Sequence, residues 1–179
     1  MRRFARGEAP AFEELYRRHE LRVFRYLMRS IRSHAVAEEL LQETWFAVVR
    51  DAQRYQPSAR FTTWLFTIAH NRMVDAIRGM RPQQSLDAHE REALAVADGD
   101  GEVARDGPFA ATLARDQLNA LRAALASLPT EQREVFLLQL EGDLSIEEIA
   151  TITDCTFETA KSRLRYARDK LRERLRDYA

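Results

Sequence analysis

The segment FETAKSRLRYARDKLRERL, residues 157–175, sets Phe157, Ala160, Leu164, Ala167, Leu171 and Leu175 on one narrow apolar stripe when turned at about 100° per residue. Tyr166 falls opposite that stripe, and Thr159, Lys161, Ser162 and Arg165 fill the outward arc around it. An aromatic ring, hydroxyls and cations on the exposed face of such a helix are the groups that reading a DNA major groove requires. The same pattern also describes an ordinary basic amphipathic helix. A second line lies earlier, in ARFTTWLFTIAHNRMVDAIR, residues 59–78. There Leu65, Phe66, Ile68, Ala69, Met73, Ala76 and Ile77 share one arc, and Trp64, Thr67, His70, Asn71, Asp75 and Arg78 share the other. Trp64 and Asn71 are seven residues apart, nearly one above the other, so a tryptophan stands on a polar face in line with an amide and a cation.

Other chemistry is not signalled. The four histidines (19, 34, 70, 89) are scattered, without carboxylates or thiolates at ligand spacing, so no metal site is expected. There is no Gly-rich phosphate loop and no nucleophile motif, and neither an enzyme nor a cofactor is expected. His70 reads as a surface or hydrogen-bonding histidine. One cysteine, Cys155, excludes an internal disulfide and fits a reducing, cytoplasmic setting. No apolar run approaches membrane-spanning length, and no signal-peptide core is present.

These residues must be positioned by helices. The chain has 179 residues, 45% of them hydrophobic, enough for one or two small cores. Pro10 suits a first helical turn, followed by the periodic face Phe12, Leu15, Tyr16, Val23, Leu27. Ser33 is placed to cap a second helix with the core face Val36, Leu40, Leu41, Thr44, Val48, ending near Tyr55–Pro57. Thr62 or Thr63 caps the third, and Gly79 and Pro82 stop it. Residues 83–110 are acidic and broken by Gly and Pro, which reads as a flexible linker with one short helical turn at Asp87–Ala95. Periodicity returns at Phe109 with Leu113, Leu118, Leu121, Leu125 and Leu128; Pro129 opens a fifth helix and Gly142 ends it. SIEE is a capping box, Ser145 with Glu148, opening a short helix at Ile146–Thr153. The turn DCT and the cap Thr156 then lead into the 157–175 helix, which completes a helix-turn-helix. No segment alternates with period two, so the expected fold class is all-α.

Charge is zero overall but blocked. Residues 1–82 hold fifteen Arg against nine acids, residues 83–114 two Arg against seven acids, and residues 161–179 eight Lys/Arg against three acids. Blocks of opposite sign suggest several charged partners, although solvated helix faces give the same pattern.

AEELLQETWFAVV, FTTWLFTIAHNRMVDAIR, LPTEQREVFLLQL and LSIEEIATITDCTFETAKSRLRYARDKLRERL, in this order and spacing, resemble the sigma-70 family, in its small two-domain extracytoplasmic-function (ECF) group. The resemblance covers residues 10–82 and 112–176. It implies a promoter-specificity subunit of RNA polymerase, with a region 2 bundle in residues 1–82, an acidic linker in 83–111 and a region 4 helix-turn-helix domain in 112–179. It implies that Arg60, Phe61, Thr62 and Thr63 enclose a base flipped from the −10 element, and that Asn71 contacts it. Trp64, Asn71 and Arg78 then offer a ring, an amide and a phosphate-binding cation along one face, which recovers part of the cost of unstacking a base. Trp64 is equally read as half-buried packing against the second helix. Thr159, Lys161, Ser162, Arg163, Arg165 and Tyr166 match the positions that meet the −35 element. Asp154 stands where glycine is common in the turn, and tolerates a left-handed backbone better than most residues. Glu38, Glu39, Gln42 and Glu43 match the surface for the basic β′ clamp helices, with Trp45 adding apolar contact; on its own this is also a solvated acidic face. The implied partners are the RNA polymerase core, through its β′ clamp helices and β subunit, promoter DNA, and an anti-sigma protein. The rival reading is a stand-alone helix-turn-helix regulator with an N-terminal interaction domain.

Overall fold

A computed structural model describes residues 1–55, 60–80 and 107–176, with side chains for all of these except 80 and 107–115. The described residues form eight α-helices and no strand. In chain order they are α1 (Arg2–Ala5), α2 (Ala9–Ile31), α3 (His34–Arg50), α4 (Phe61–Met80), α5 (Gly107–Ala126), α6 (Thr130–Gly142), α7 (Ile146–Ile152) and α8 (Phe157–Arg174), with a 3-10 turn at Ala52–Arg54 after α3. The fold is the two-domain all-α one expected. α2, α3 and α4 pack on one another, and α6, α7 and α8 do the same, with α5 against α8. α2 and α4 also meet α6, and α4 meets α7, so the two helical groups share one continuous apolar cluster.

Each element follows local chemistry. Pro10 lies in the first turn of α2, where its missing N–H costs nothing. α3 ends at Arg50, earlier than the Tyr55–Pro57 region, and Tyr55 is already extended. α4 begins at Phe61, one or two residues before the expected caps. Thr63 turns its hydroxyl to Glu148 of α7 instead of to its own helix. α5 begins at Gly107, inside the stretch assigned to the linker, because Pro108 fits a first helical turn as well as it fits a break. The remainder of that linker, including the turn at Asp87–Ala95, lies outside the described residues.

The core faces differ in phase from the simplest periodic reading. α2 buries Ala11, His19, Val23, Tyr26 and Leu27. α3 buries Ala37, Leu40, Thr44, Trp45, Ala47 and Val48. Thr44 is accommodated because its hydroxyl donates to the Leu40 carbonyl at 2.7 Å. Gly142 does end α6, but the left-handed residue after it is Asp143, at φ 52°. What the glycine supplies is space: a Cβ there would come 2.7 Å from Leu144 Cγ and 3.4 Å from Phe66 Cγ on α4. A side chain at 142 would collide with the Leu144 side chain, while Phe66 of α4 would stand at ordinary contact distance.

Candidate nucleic-acid interface

The helix-turn-helix is built as its caps dictate. Ser145 Oγ accepts from the Glu148 N–H at 3.3 Å, and Glu148 Oε2 accepts from the Ser145 N–H at 2.8 Å, a complete capping box. Asp154 takes φ 48° in the turn. Thr156 Oγ1 accepts from the Thr159 N–H at 3.2 Å and starts α8. Ala160, Leu164, Ala167 and Leu171 are buried against the rest of the domain, which turns the opposite face outward.

That outward face carries Lys161, Arg165 and Tyr166, all exposed. The Arg165 guanidinium lies 5.0 Å from the Tyr166 ring centroid, so cation and ring form one unit. Lys161 sits over the Phe157 ring at 5.6 Å and 3.7 Å from Glu158. Thr159 and Ser162 are half-buried: Thr159 shares a hydroxyl contact of 2.8 Å with Thr156, and the Ser162 hydroxyl donates to the Thr159 carbonyl at 3.0 Å. Arg163 departs from the expected group. Its side chain turns back to α6 and pairs with Glu131 at 3.0 Å.

On α4, Asn71 and Arg78 are exposed, as is Asp75 between them. Trp64 is half-buried, its ring 5.0 Å from Tyr55 and 6.0 Å from Phe61. The tryptophan stands on the polar face because an aromatic cluster built by Tyr55 and Phe61 receives it there. His70, also on that arc, is buried: its Nδ1 lies 3.2 Å from Tyr26 Oη and 3.2 Å from Glu134 Oε1. Burial, aided by the Glu134 charge, pushes the Tyr26 phenol well above its ordinary pKa. A cleft of about 410 Å³ opens beside Phe61 and Tyr55, bordered by Arg2, Arg3 and Arg18. Glu14 lines the same cleft, and two of the three guanidiniums are already paired, Arg3 with Glu8 at 2.8 Å and Arg18 with Glu14 at 2.5 Å.

The remaining residues expected around the flipped base are engaged elsewhere. Arg60 donates from Nε to Glu148 Oε1 at 3.1 Å and from Nη2 to Glu148 Oε2 at 2.5 Å. Arg60 Nη2 also donates to the Asp143 carbonyl at 2.9 Å. Thr63 is buried and donates to Glu148, while Thr62 and Phe61 are half-buried.

The acidic edge of α3 is open. Glu38, Glu39, Gln42 and Glu43 are all exposed; Glu38 lies 3.2 Å from His34, and Glu43 is 4.0 Å from Arg72. Trp45 is not on this edge. It is 4% exposed, held edge-on by Phe12 at 5.7 Å and tilted against Tyr16 at 5.0 Å. The apolar group on the edge is Phe46, 72% exposed, with Val49 one turn further. Positions 39, 42, 43, 46 and 49 share this exposed face by helical spacing, whereas 45 falls on the buried side.

Comparison with known proteins fits this layout. The model of sigma-70 region 2 matches residues 15–82, and that of sigma-70 region 4 matches residues 118–171. The chain is 36% identical over 177 residues to the RNA polymerase sigma factor CarQ of Myxococcus xanthus, covering 98% of this chain and 95% of that protein. It is 34% identical over 176 residues to the ECF RNA polymerase sigma factor RpoE of Cereibacter sphaeroides, covering 95% and 88%. Among solved structures, the sigma factor RpoE in complex with the anti-sigma factor NepR, from Bartonella quintana, superposes with a TM-score of 0.73 at 26% identity, covering 93% of this chain and 97% of that one.

Proposed function

The chain belongs to the sigma-70 family as an ECF RNA polymerase sigma factor, and from that premise we propose which of its faces meet polymerase and which meet promoter DNA. Residues 1–82 act as the −10 and core-binding domain, 83–111 as the acidic tether, and 112–179 as the −35 domain. The chain supplies recognition, and polymerase carries out the chemistry. No helix among the described residues is long and apolar enough to cross a membrane, and the site of action is that of polymerase, the cytoplasm.

On α8, Arg165, Tyr166 and Lys161 read the −35 major groove, with Thr159 and Ser162 at its edge. Arg163 holds α8 to α6 through Glu131 and contributes less to the DNA. On α4, Asn71 hydrogen-bonds the edge of a flipped −10 base, Arg78 meets a phosphate, and Trp64 braces the aromatic cluster around it. Arg60, Phe61, Thr62 and Thr63 line the base once they are freed. The exposed edge Glu39, Gln42, Glu43 and Phe46, with Glu38 beside it, binds the basic β′ clamp helices, and the −35 domain lies against the β subunit. The relative from Bartonella quintana was solved with an anti-sigma factor, and we propose that this chain is held by one as well.

The observation that carries this reading over a stand-alone regulator is that α3 edge: carboxylates and an open phenylalanine on one helical face, beside the Trp64–Asn71 helix. Charged contacts to a basic partner speed association and weaken with salt. Reversing Glu39 and Glu43 to lysine abolishes assembly with core polymerase, with circular dichroism unchanged. Normal assembly by the folded double variant would exclude this edge and revive the regulator reading.

A further inference from the structure

A cleft of about 330 Å³ opens between α2, α4 and α6, lined by no residue of α3 or α8. That volume is at the small end of the range for small-molecule sites. On α4 its wall is Met73, Val74 and Ile77, which the helical spacing sets on one side. Met73 is buried, while Val74 and Ile77 are half-buried. Two guanidiniums border this wall, Arg78 from α4 and Arg133 from α6, and two carboxylates of α6 line the same cleft, Glu131 and Glu134.

The charges do not pair within the cleft. Glu131 goes to Arg163 of α8 at 3.0 Å, and Glu134 goes to His70 of α4 at 3.2 Å. Among the described residues, the guanidinium of neither Arg78 nor Arg133 has a hydrogen bond or an ion pair. Arg133 is half-buried as well. Burial, followed by the charge of Arg32 nearby, pushes its guanidinium below its ordinary pKa, and the Glu134 charge opposes this least of the three causes. Arg32 is itself held at the end of α5 by the Ala126 carbonyl, at 3.1 Å. Keeping a cation in such a place without an anion is costly, and a bound anion removes the cost. Arg78, assigned above to a −10 phosphate, has the same need here, a guanidinium with no anion of its own.

The wall selects the rest of the ligand. No aromatic ring lines the cleft, so a nucleobase finds no stacking platform. Methionine, valine and isoleucine offer aliphatic surface, and the flexible thioether of Met73 adapts to the shape of a chain. We propose that this cleft binds a small amphiphile with an anionic head and an aliphatic tail: Arg78 and Arg133 take the head, and Met73, Val74 and Ile77 take the tail. Carboxylates and phosphate monoesters both fit the head site, since each accepts the planar fork of a guanidinium. The ligand touches helices of both helical groups, so its binding stabilises the arrangement described here by mass action.

Calorimetric titration of the full chain with sodium decanoate and with decyl phosphate tests this, with NMR of methyl-labelled methionine to locate the site. One saturable site is expected, and the Met73 methyl, identified by its loss in Met73→Leu, is expected to shift along the titration. Hexanoate, with a shorter tail, and decanol, with no charge, should each bind at least about tenfold more weakly. Arg78→Gln/Arg133→Gln should lower decanoate affinity by at least about tenfold at unchanged helicity. Arg133→Gln alone decides the matter if the double variant fails to fold. The tighter of the two charged probes identifies the head group, and either result supports the site. Absence of saturable binding, an unmoved Met73 methyl, decanol binding as tightly as decanoate, or full decanoate affinity in the folded variant would each overturn the proposal. Neither DNA nor polymerase enters this test, so its failure leaves the promoter assignments untouched.

Discussion

Replacing Glu141 by alanine removes the most buried carboxylate of the interface between the two domains. Its side chain is 4% exposed, while those of its partners Arg29 and Arg25 are 24% and 37% exposed. Position matters as well: Glu141 lies in the last turn of α6, where the helix dipole disfavours negative charge by up to about 1 kcal/mol at exposed sites. A carboxylate persists there because the guanidiniums offset both that field and its desolvation. Breaking a fully buried pair costs about 3–5 kcal/mol. Here both arginines reach water once released, so the loss is smaller, about 2–4 kcal/mol, with the larger share from Arg29, the less exposed partner. Arg29→Ala should cost more than Arg25→Ala for the same reason. Urea unfolding followed by circular dichroism measures this, with the slope against denaturant held near the wild-type value. A shift for Glu141→Ala below about 0.5 kcal/mol would refute the reasoning, since it would mean that the domains gain nothing from these bonds.

Acid titration tests Glu148. Its carboxyl sits at about 2, drawn down first by the Arg60 hydrogen bonds, against burial, with help from Thr63 and the Ser145 N–H. A depressed carboxyl contributes stability above its unfolded value of 4.5 and loses it as pH falls toward 2. The wild type should therefore lose about 1–2 kcal/mol more than Glu148→Gln across that window, a range reduced because Arg60 is half-exposed; parallel pH curves for the two proteins contradict it. Arg165→Ala should cost about 1–3 kcal/mol at one position of the −35 element if the guanidinium reads a base edge, measured by holoenzyme binding to promoter variants; uniform weakening with a flatter salt slope would make it a phosphate contact instead. Asn71→Ala should leave assembly with core intact and suppress thymine reactivity to permanganate in the −10 region, and undiminished reactivity would remove Asn71 from the pocket.

The fold was legible in the sequence wherever one element's own residues decide it. The Ser145–Glu148 box, the Thr156 cap, the left-handed Asp154 and the α8 stripe are local events, and the helix-turn-helix follows from them. Position 45 was not legible, because α3 shows apolar side chains on adjacent positions and only packing against Phe12 and Tyr16 of α2 decides that Trp45 faces in and Phe46 out. His70, on the polar arc of α4, and Thr63, read as a cap, are both buried, because His70 meets Glu134 of α6 and Thr63 meets Glu148 of α7. Periodicity reports a helix's apolar side; it is silent on which part of a polar side another domain covers. Glu148 illustrates the limit most clearly. Its capping role was written four residues long, while its contact with Arg60 spans 88 positions and no local pattern encodes it.

The central claim is that this chain gives core RNA polymerase a promoter preference through α4 and α8. Run-off transcription with purified core on a library of promoters tests it most directly. The account predicts transcripts from a small set of templates sharing both a −35 and a −10 element, absent with core alone and lost with the Glu39→Lys/Glu43→Lys variant. Transcripts no different from those of core alone, from a folded chain that nevertheless binds duplex DNA, would contradict it.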